Sequence, residues 1–157
     1  TWTAEPGEPD PEFRAAADER CLDGGRPDPA TAEVLQDQRG SGGAAFLYTG
    51  RSQATCVVLR VPGLLPSWDV PSKGWRLWPY ESDAALAVGD SGSGAISDAY
   101  GVVDPAAVAV EIVTTSGRTV RATVGGGRFL AWWPGSDPWR AARALAADGT
   151  VLDSVAR

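Results

Sequence analysis

The sequence predicts a mainly-β domain with antiparallel strands and one short helix near its N-terminus. Three runs in the last third carry this prediction. Val108, Val110 and Ile112 alternate with Ala109, Glu111 and Val113; Val120, Ala122 and Val124 alternate with Thr119, Arg121 and Thr123; Phe129, Ala131 and Trp133 alternate with Arg128, Leu130 and Trp132. Ser116-Gly117 and Gly125-Gly126-Gly127 separate the runs. Period-two alternation broken by glycine turns is the pattern of an antiparallel meander with one buried face.

The remaining elements follow from local chemistry. Thr1 to Pro11 is rich in proline, glycine and acids and reads as a flexible lead-in, before a single globular domain over 12–157. Pro11 to Cys21 predicts a short helix: proline at a tolerated first-turn position, three alanines, and Phe13, Ala17 and Cys21 four residues apart, with Gly24-Gly25 as its stop. Arg26 to Gly43 is expected to be mostly loop, with a turn of helix at Thr31 to Leu35. Ala44–Thr49 and Ala54–Val61 flank the turn at 50–53 as a hairpin, completing a helix-plus-hairpin region over 12–61. Residues 62–83 form a Pro/Trp-rich segment whose four prolines forbid long regular structure, with a short strand expected near Trp75 to Trp78. Ala84 to Val88 is a further short apolar run, and Gly89 to Gly94 a Gly-Ser loop.

Residues 138–147 read two ways. Ser136-Asp137-Pro138 followed by WRAARALAADG has a cap, a proline at the first helical position and a glycine stop, which gives an α+β alternative with a C-terminal helix at 138–147. The same residues can form a strand over 141–147, an Asp148-Gly149 turn and a strand over 150–155. Propensity alone favours the helix.

Composition narrows the function classes. The 157-residue chain has a net charge of −6 and no run of Lys or Arg, so it repels phosphate backbones and anionic lipid surfaces; no nucleic-acid partner is expected. No apolar run approaches the ~20 residues of a membrane span, so membrane attachment is expected only through an anchor upstream. Cys21 and Cys56 are the only cysteines, and an even count in a small domain is expected to form a disulfide in an oxidising compartment. Closing that loop of about 35 residues would add about 3–4 kcal/mol in the chain-entropy view. The spacing is wrong for a redox CxxC, and the absence of His leaves no donor set for zinc; no cofactor or metal is expected.

Three features invite a chemical reading. Gly89 to Gly94 spells GDSGSG, similar to the sequence around the nucleophile of chymotrypsin-like serine proteases, but the chain has no His to take a proton from Ser91, and Lys73 lies in a Pro-rich stretch. No catalytic residue is expected. Asp83, Asp90, Asp98 and Asp104 crowd the middle of the chain without calcium-loop spacing. The seven tryptophans are the most unusual feature. Trp68, Trp75, Trp78 and Tyr80 fall in the Pro/Trp-rich stretch and are the candidate ligand-binding residues, because aromatics on loops mark binding patches. Trp132 and Trp133 are adjacent on a strand and point to opposite faces, so they cannot both fill one core.

The segment DAYGVVDPAAVAVEIVTTSGRTVRATVGGGRFLAWWPG…ARALAADGTVL resembles bacterial Ig-like modules of exported proteins. The part C…PDPATAEVLQDQRG…AAFLYTG…ATCVVL is similar to extracytoplasmic domains of actinobacterial single-pass membrane proteins, and the thirteen arginines against a single lysine suit high-GC coding. The resemblance implies an Ig-like sandwich or half-sandwich with its meander over 100–157, and it tips 138–147 toward strands. It implies a non-enzymatic, extracytoplasmic binding or sensing domain, at the cell surface or secreted, with a protein or cell-envelope component as partner. A carbohydrate or cell-wall binding module using the Trp-rich loops is the first alternative, and a serine hydrolase at the GDSGSG loop the second.

Overall fold

The computed structural model describes residues 2–22, 32–49, 52–54, 77–79, 86–90 and 96–157. The protein is mainly β and antiparallel, with one short helix among the described residues. Its contacts group the chain into two compact units. One comprises Thr1 and Gly7–Glu81; the other comprises Trp2–Pro6 and Ser82–Arg157.

The first unit packs helix α1 (Pro11–Leu22) on a four-stranded sheet in the order β1 (Ala32–Arg39), β2 (Gly42–Thr49), β3 (Ser52–Ala54), β4 (Leu77–Pro79). Asp10 caps the helix: its Oδ1 accepts the Phe13 N–H at 2.8 Å, and Pro11 occupies the first helical position. The cap is tied to β1, because Gln38 accepts the Asp10 N–H through Oε1 at 2.6 Å and donates Nε2 to Asp10 Oδ2 at 2.7 Å. Phe13 and Ala17, one helical turn apart, are the buried face of α1, as the sequence predicts.

Strand β1 replaces the loop and helical turn expected between Arg26 and Gly43. It pairs in unbroken register with β2, from Ala32↔Thr49 to Arg39↔Gly42, closing through Gly40 at φ 61°. Its polar sequence conceals it. Asp37 and Arg39 lie on one face with both side chains fully buried, joined by Arg39 Nε to Asp37 Oδ1 at 2.6 Å and Arg39 Nη2 to Asp37 Oδ2 at 2.8 Å. The two charges neutralise each other in a fork geometry, which lets residues that read as solvent-facing occupy buried positions.

The second unit is a seven-stranded sheet in the order β11 (Val151–Ala156), β10 (Trp139–Leu145), β7 (Ala109–Thr114), β8 (Thr119–Gly125), β9 (Arg128–Pro134), β6 (Ile96–Val103), β5 (Leu86–Gly89). Strand β8 serves both halves. Residues 119–122 pair with β7, and residues 123–125 pair with β9. The sheet curls at this shared strand until its two ends, β11 and β5, approach each other. The result is a half-barrel sandwich. Leu86, Ala99, Val103, Phe129, Ala131 and Trp133 of one half meet Val110, Ile112, Val120, Ala122, Trp139, Ala142 and Ala144 of the other in one apolar core.

The alternating runs predicted from sequence are β7, β8 and β9; burial alternates along β7 from Val110 and over the first half of β8, whereas Val108 is exposed and β9 is buried on both faces from Arg128 to Trp133. Trp133 fills the core, while Trp132 is buried on the opposite face at 2% exposure. The alternative C-terminal helix over 138–147 is overturned: β10 pairs with β7 on one side and β11 on the other, and Gly149 turns the hairpin at φ 84°. Backbone pairing on two sides outweighs the alanine-rich propensity of WRAARAL. A register shift between Trp139 and Ala141 resets the parity of β10, so that Trp139 shares the core face with Ala142 and Ala144.

Residues 2–6, read from sequence as flexible lead-in, are hydrogen-bonded to the second unit, and Gly7 bridges to Gln38 of β1 in the first. No helix among the described residues is long and apolar enough to cross a membrane.

Candidate functional site

A cleft of ≈ 130 Å³ opens where the two ends of the seven-stranded sheet approach, lined by Asp90, Ile96, Ser97, Asp98, Ser136, Pro138, Trp139 and Arg157. Asp90 follows β5, Trp139 begins β10, and Arg157 follows β11, so the curl of the sheet, not sequence proximity, assembles the group. The Asp90 Oδ2 accepts the Trp139 indole N–H at 2.9 Å and the Arg157 Nη1–H at 2.6 Å. The Arg157 guanidinium lies over the Trp139 ring, 5.6 Å from its centroid. Arg157 is half exposed, so this ion pair faces solvent and contributes at most about 1 kcal/mol.

The wall opposite is a pinned turn. Residues 135–138 connect β9 to β10. The Ser97 Oγ donates to the Gly135 carbonyl at 2.8 Å and accepts the Asp137 N–H at 3.1 Å. The Trp133 indole donates to the Asp137 carbonyl at 2.8 Å. The Asp137 carboxylate accepts the Ser116 hydroxyl, the Thr115 hydroxyl and the Ser116 N–H from the β7–β8 turn. These donors, led by the Ser116 hydroxyl and followed by the Thr114 and Thr115 hydroxyls and the Ser116 amide, hold the carboxyl well below the usual carboxylate range.

Chemically the cleft offers two carboxylates, a guanidinium and an indole edge, a set that recognises polar groups by hydrogen bonding. The Ser97 hydroxyl is not a nucleophile in this arrangement: its proton is directed at an amide carbonyl, which is no base. Among the described residues, no group of three or more His, Cys, Asp or Glu side chains gathers to hold a metal. Asp104, another acid of the mid-chain cluster, is a turn residue: its Oδ1 accepts the Ala106 N–H at 2.8 Å.

Of the residues singled out from sequence, Trp68, Trp75, Tyr80, Lys73, Asp83, Ser91 and Cys56 lie outside the described residues. The backbone of Trp78 lies in β4 opposite Gln53, and that of Cys21 in α1; their side chains lie outside the description. Asp90 belongs to the mid-chain acids and Trp139 to the second tryptophan cluster with Trp132 and Trp133, but Trp139 and Arg157 lie 49 and 67 positions from Asp90, and no spacing in the sequence signals the group. No family model, no curated protein and no solved structure matches the chain.

Proposed function

We propose that this chain is a non-catalytic binding or sensing domain that works outside the cytoplasmic membrane, anchored or secreted, and that its Pro/Trp-rich stretch over 62–83 meets a protein or cell-envelope partner. The distribution of tryptophans carries the reading. Trp133 and Trp139 fill the sandwich core with their indole N–H groups bonded, Trp132 is buried on the far face, and Trp2 is half-buried and bonded to the Trp132 carbonyl. Four of the seven thereby serve the framework. The other three, Trp68, Trp75 and Trp78, are concentrated in one short stretch with Tyr80. Aromatic side chains grouped between prolines supply large contact area at low conformational cost. The absence of His and the pairing of the Ser97 hydroxyl to a carbonyl favour binding over catalysis.

The test is co-sedimentation of the full chain with washed actinobacterial cell envelopes. The wild type is expected in the pellet, and the triple variant Trp68→Ala/Trp75→Ala/Trp78→Ala in the supernatant. Retention of binding after protease treatment of the envelopes assigns a glycan partner; its loss assigns a protein. A wild type that stays in the supernatant, or a variant that pellets equally, refutes the reading.

A further inference from the structure

The cleft between the two ends of the seven-stranded sheet carries hydrogen-bonding groups that the fold positions but does not use up. Asp90 is held through one oxygen: its Oδ2 takes both the Trp139 indole N–H and the Arg157 N–H. Trp139 is packed into the core, so it fixes the direction of the carboxylate before any ligand arrives. The Asp90 Oδ1 has no hydrogen-bond partner among the described residues. Arg157 spends Nη1 on Asp90 and leaves its other donors half exposed. Ser136 stands between Gly135 and Asp137, whose backbone groups are both tied to the Ser97 hydroxyl, while its own hydroxyl has no partner among the described residues. Ile96 and Pro138 add apolar wall, and Asp98 adds a second carboxylate.

We propose that this cleft binds one ring of a neutral saccharide, with a ring hydroxyl bridging Asp90 and Arg157. The charge pattern selects the ligand class. Two carboxylates and one guanidinium leave the cleft net negative, which repels an anion. A cation that reaches Asp90 meets the Arg157 guanidinium beside it, 2.6 Å from the same carboxylate. A hydroxyl escapes both penalties, because it donates to Asp90 Oδ1 and accepts from an Arg157 N–H at once. Hydrogen bonds to charged partners are the stronger kind, so a hydroxyl gains more here than against neutral groups. The size agrees: the cleft of ≈ 130 Å³ is close to the ~150 Å³ that takes up a benzene ring, so one six-membered ring fills it. A sugar ring carries C–H faces between its hydroxyls, which suits the walls of Ile96 and Pro138 beside polar groups. A zwitterion of similar size would set its own carboxylate against Asp90 and Asp98. Sugar binding here is independent of what the stretch 62–83 binds.

The experiment titrates the full chain with the methyl pyranosides of glucose, mannose, galactose and N-acetylglucosamine, and follows the assigned Trp139 indole N–H by nitrogen-15 NMR. At least one is expected to shift it saturably, with a Kd on the order of millimolar, as water-screened polar contacts give. The same ring with a carboxylate or an ammonium at C6 is expected to bind about threefold or more weakly. Asp90→Asn, which keeps the shape but not the charge, should weaken binding about tenfold or more, and Ser136→Ala about threefold. The variant Trp68→Ala/Trp75→Ala/Trp78→Ala should bind the sugar like wild type. No saturable shift with any of the four sugars overturns the proposal. So does a charged form that binds as tightly as its neutral parent, or wild-type affinity in both cleft variants. Loss of binding in the triple tryptophan variant with Asp90→Asn unaffected moves the sugar to the stretch 62–83 and also overturns it. Should Asp90→Asn lose its native near-ultraviolet circular dichroism, Ser136→Ala decides alone: about threefold weaker binding supports the site, and wild-type affinity overturns it.

Discussion

The two units bury their strands by different means. The seven-stranded sheet fills its interior with branched and aromatic side chains, Val110, Ile112, Val120, Phe129 and Trp133, at every second position. Among its described side chains, the β1–β2 hairpin buries Leu35, Gln38, Ala44 and Ala45, the bare Gly43, and the charged pair Asp37–Arg39. The first arrangement tolerates a lost contact gradually, since each side chain contributes its own burial. The second depends on a buried pair of opposite charges, and on an absent side chain at Gly43. In the described part of the hairpin, stability thus leans on a few close matches, while in the seven-stranded sheet it is spread over an apolar layer.

The sharpest way to break that contrast is to remove one member of the buried pair. Asp37→Ala leaves the Arg39 guanidinium buried without its carboxylate, and is expected to cost about 3–5 kcal/mol. Replacing both residues by leucine and methionine removes the desolvated charges along with their attraction, and should cost far less than either single change. Urea unfolding followed by circular dichroism, with hydrogen exchange at β1 to localise the loss, measures both. A single variant as stable as wild type would show that the charge reaches solvent, and the contrast between the units would fall with it.

A smaller effect separates two glycines. A Cβ on Gly43 would stand 2.5 Å from Cε2 of Phe13, a ring that is itself 1% exposed and cannot swing aside. Gly43→Ala is expected to cost about 1–3 kcal/mol by overpacking, and Phe13→Leu in the same chain should recover part of it. Gly117, in the β7–β8 turn, has open space around the same position but a φ of 86°. Gly117→Ala is expected to cost about 1–2 kcal/mol from backbone strain alone, and no neighbouring substitution should rescue it. Thermal unfolding of the two single variants and the Phe13 double variant distinguishes a packing cost from a backbone cost.

The same difference explains what the sequence disclosed. Strands β7 and β8 were legible because hydropathy alternates where burial alternates, β9 because an apolar run follows a glycine turn although both its faces are buried, and α1 because its cap, proline and apolar spacing agree. Strand β1 was hidden because Asp37 and Arg39 carry the signature of a solvated face while lying inside. Strand β6 was hidden for the opposite reason: its inward residues, Ser97, Ala99, Gly101 and Val103, are mostly small, so hydropathy hardly changes along it. Strand β10 read as helix by propensity, and its register shift broke the period-two pattern that would have exposed it. The cleft at Asp90 was the least legible feature, since only the curl of the sheet brings its lining together. The tether of residues 2–6 likewise depends on a sheet that exists only once its strands have paired.

The smallest expected effect concerns how each unit holds a carboxylate. Asp37 is held by an opposite charge in a dry interior, whereas Asp137 is held by hydroxyls and an amide near solvent. The donors from Ser116, Thr114 and Thr115 stabilise the charged form, so the folded value lies below the ordinary 3.8. A depressed folded value adds stability that is complete above the unfolded value and is lost as the pH falls from there through the folded one. Asp148 acts with the same sign, its carboxyl lowered by the Thr150 side chain and amide. Asp137→Asn keeps an acceptor oxygen but not the charge. The melting temperature of the variant should therefore lie below that of wild type by a constant amount from about pH 8 to about pH 5, and the gap should narrow steadily below about pH 4 as the wild-type carboxylate takes up its proton. A gap that persists unchanged into acid would mean that Asp137 acts through the shape of the 135–138 turn and not through its charge. The two units would then differ in how they fill space but not in how they hold an acid.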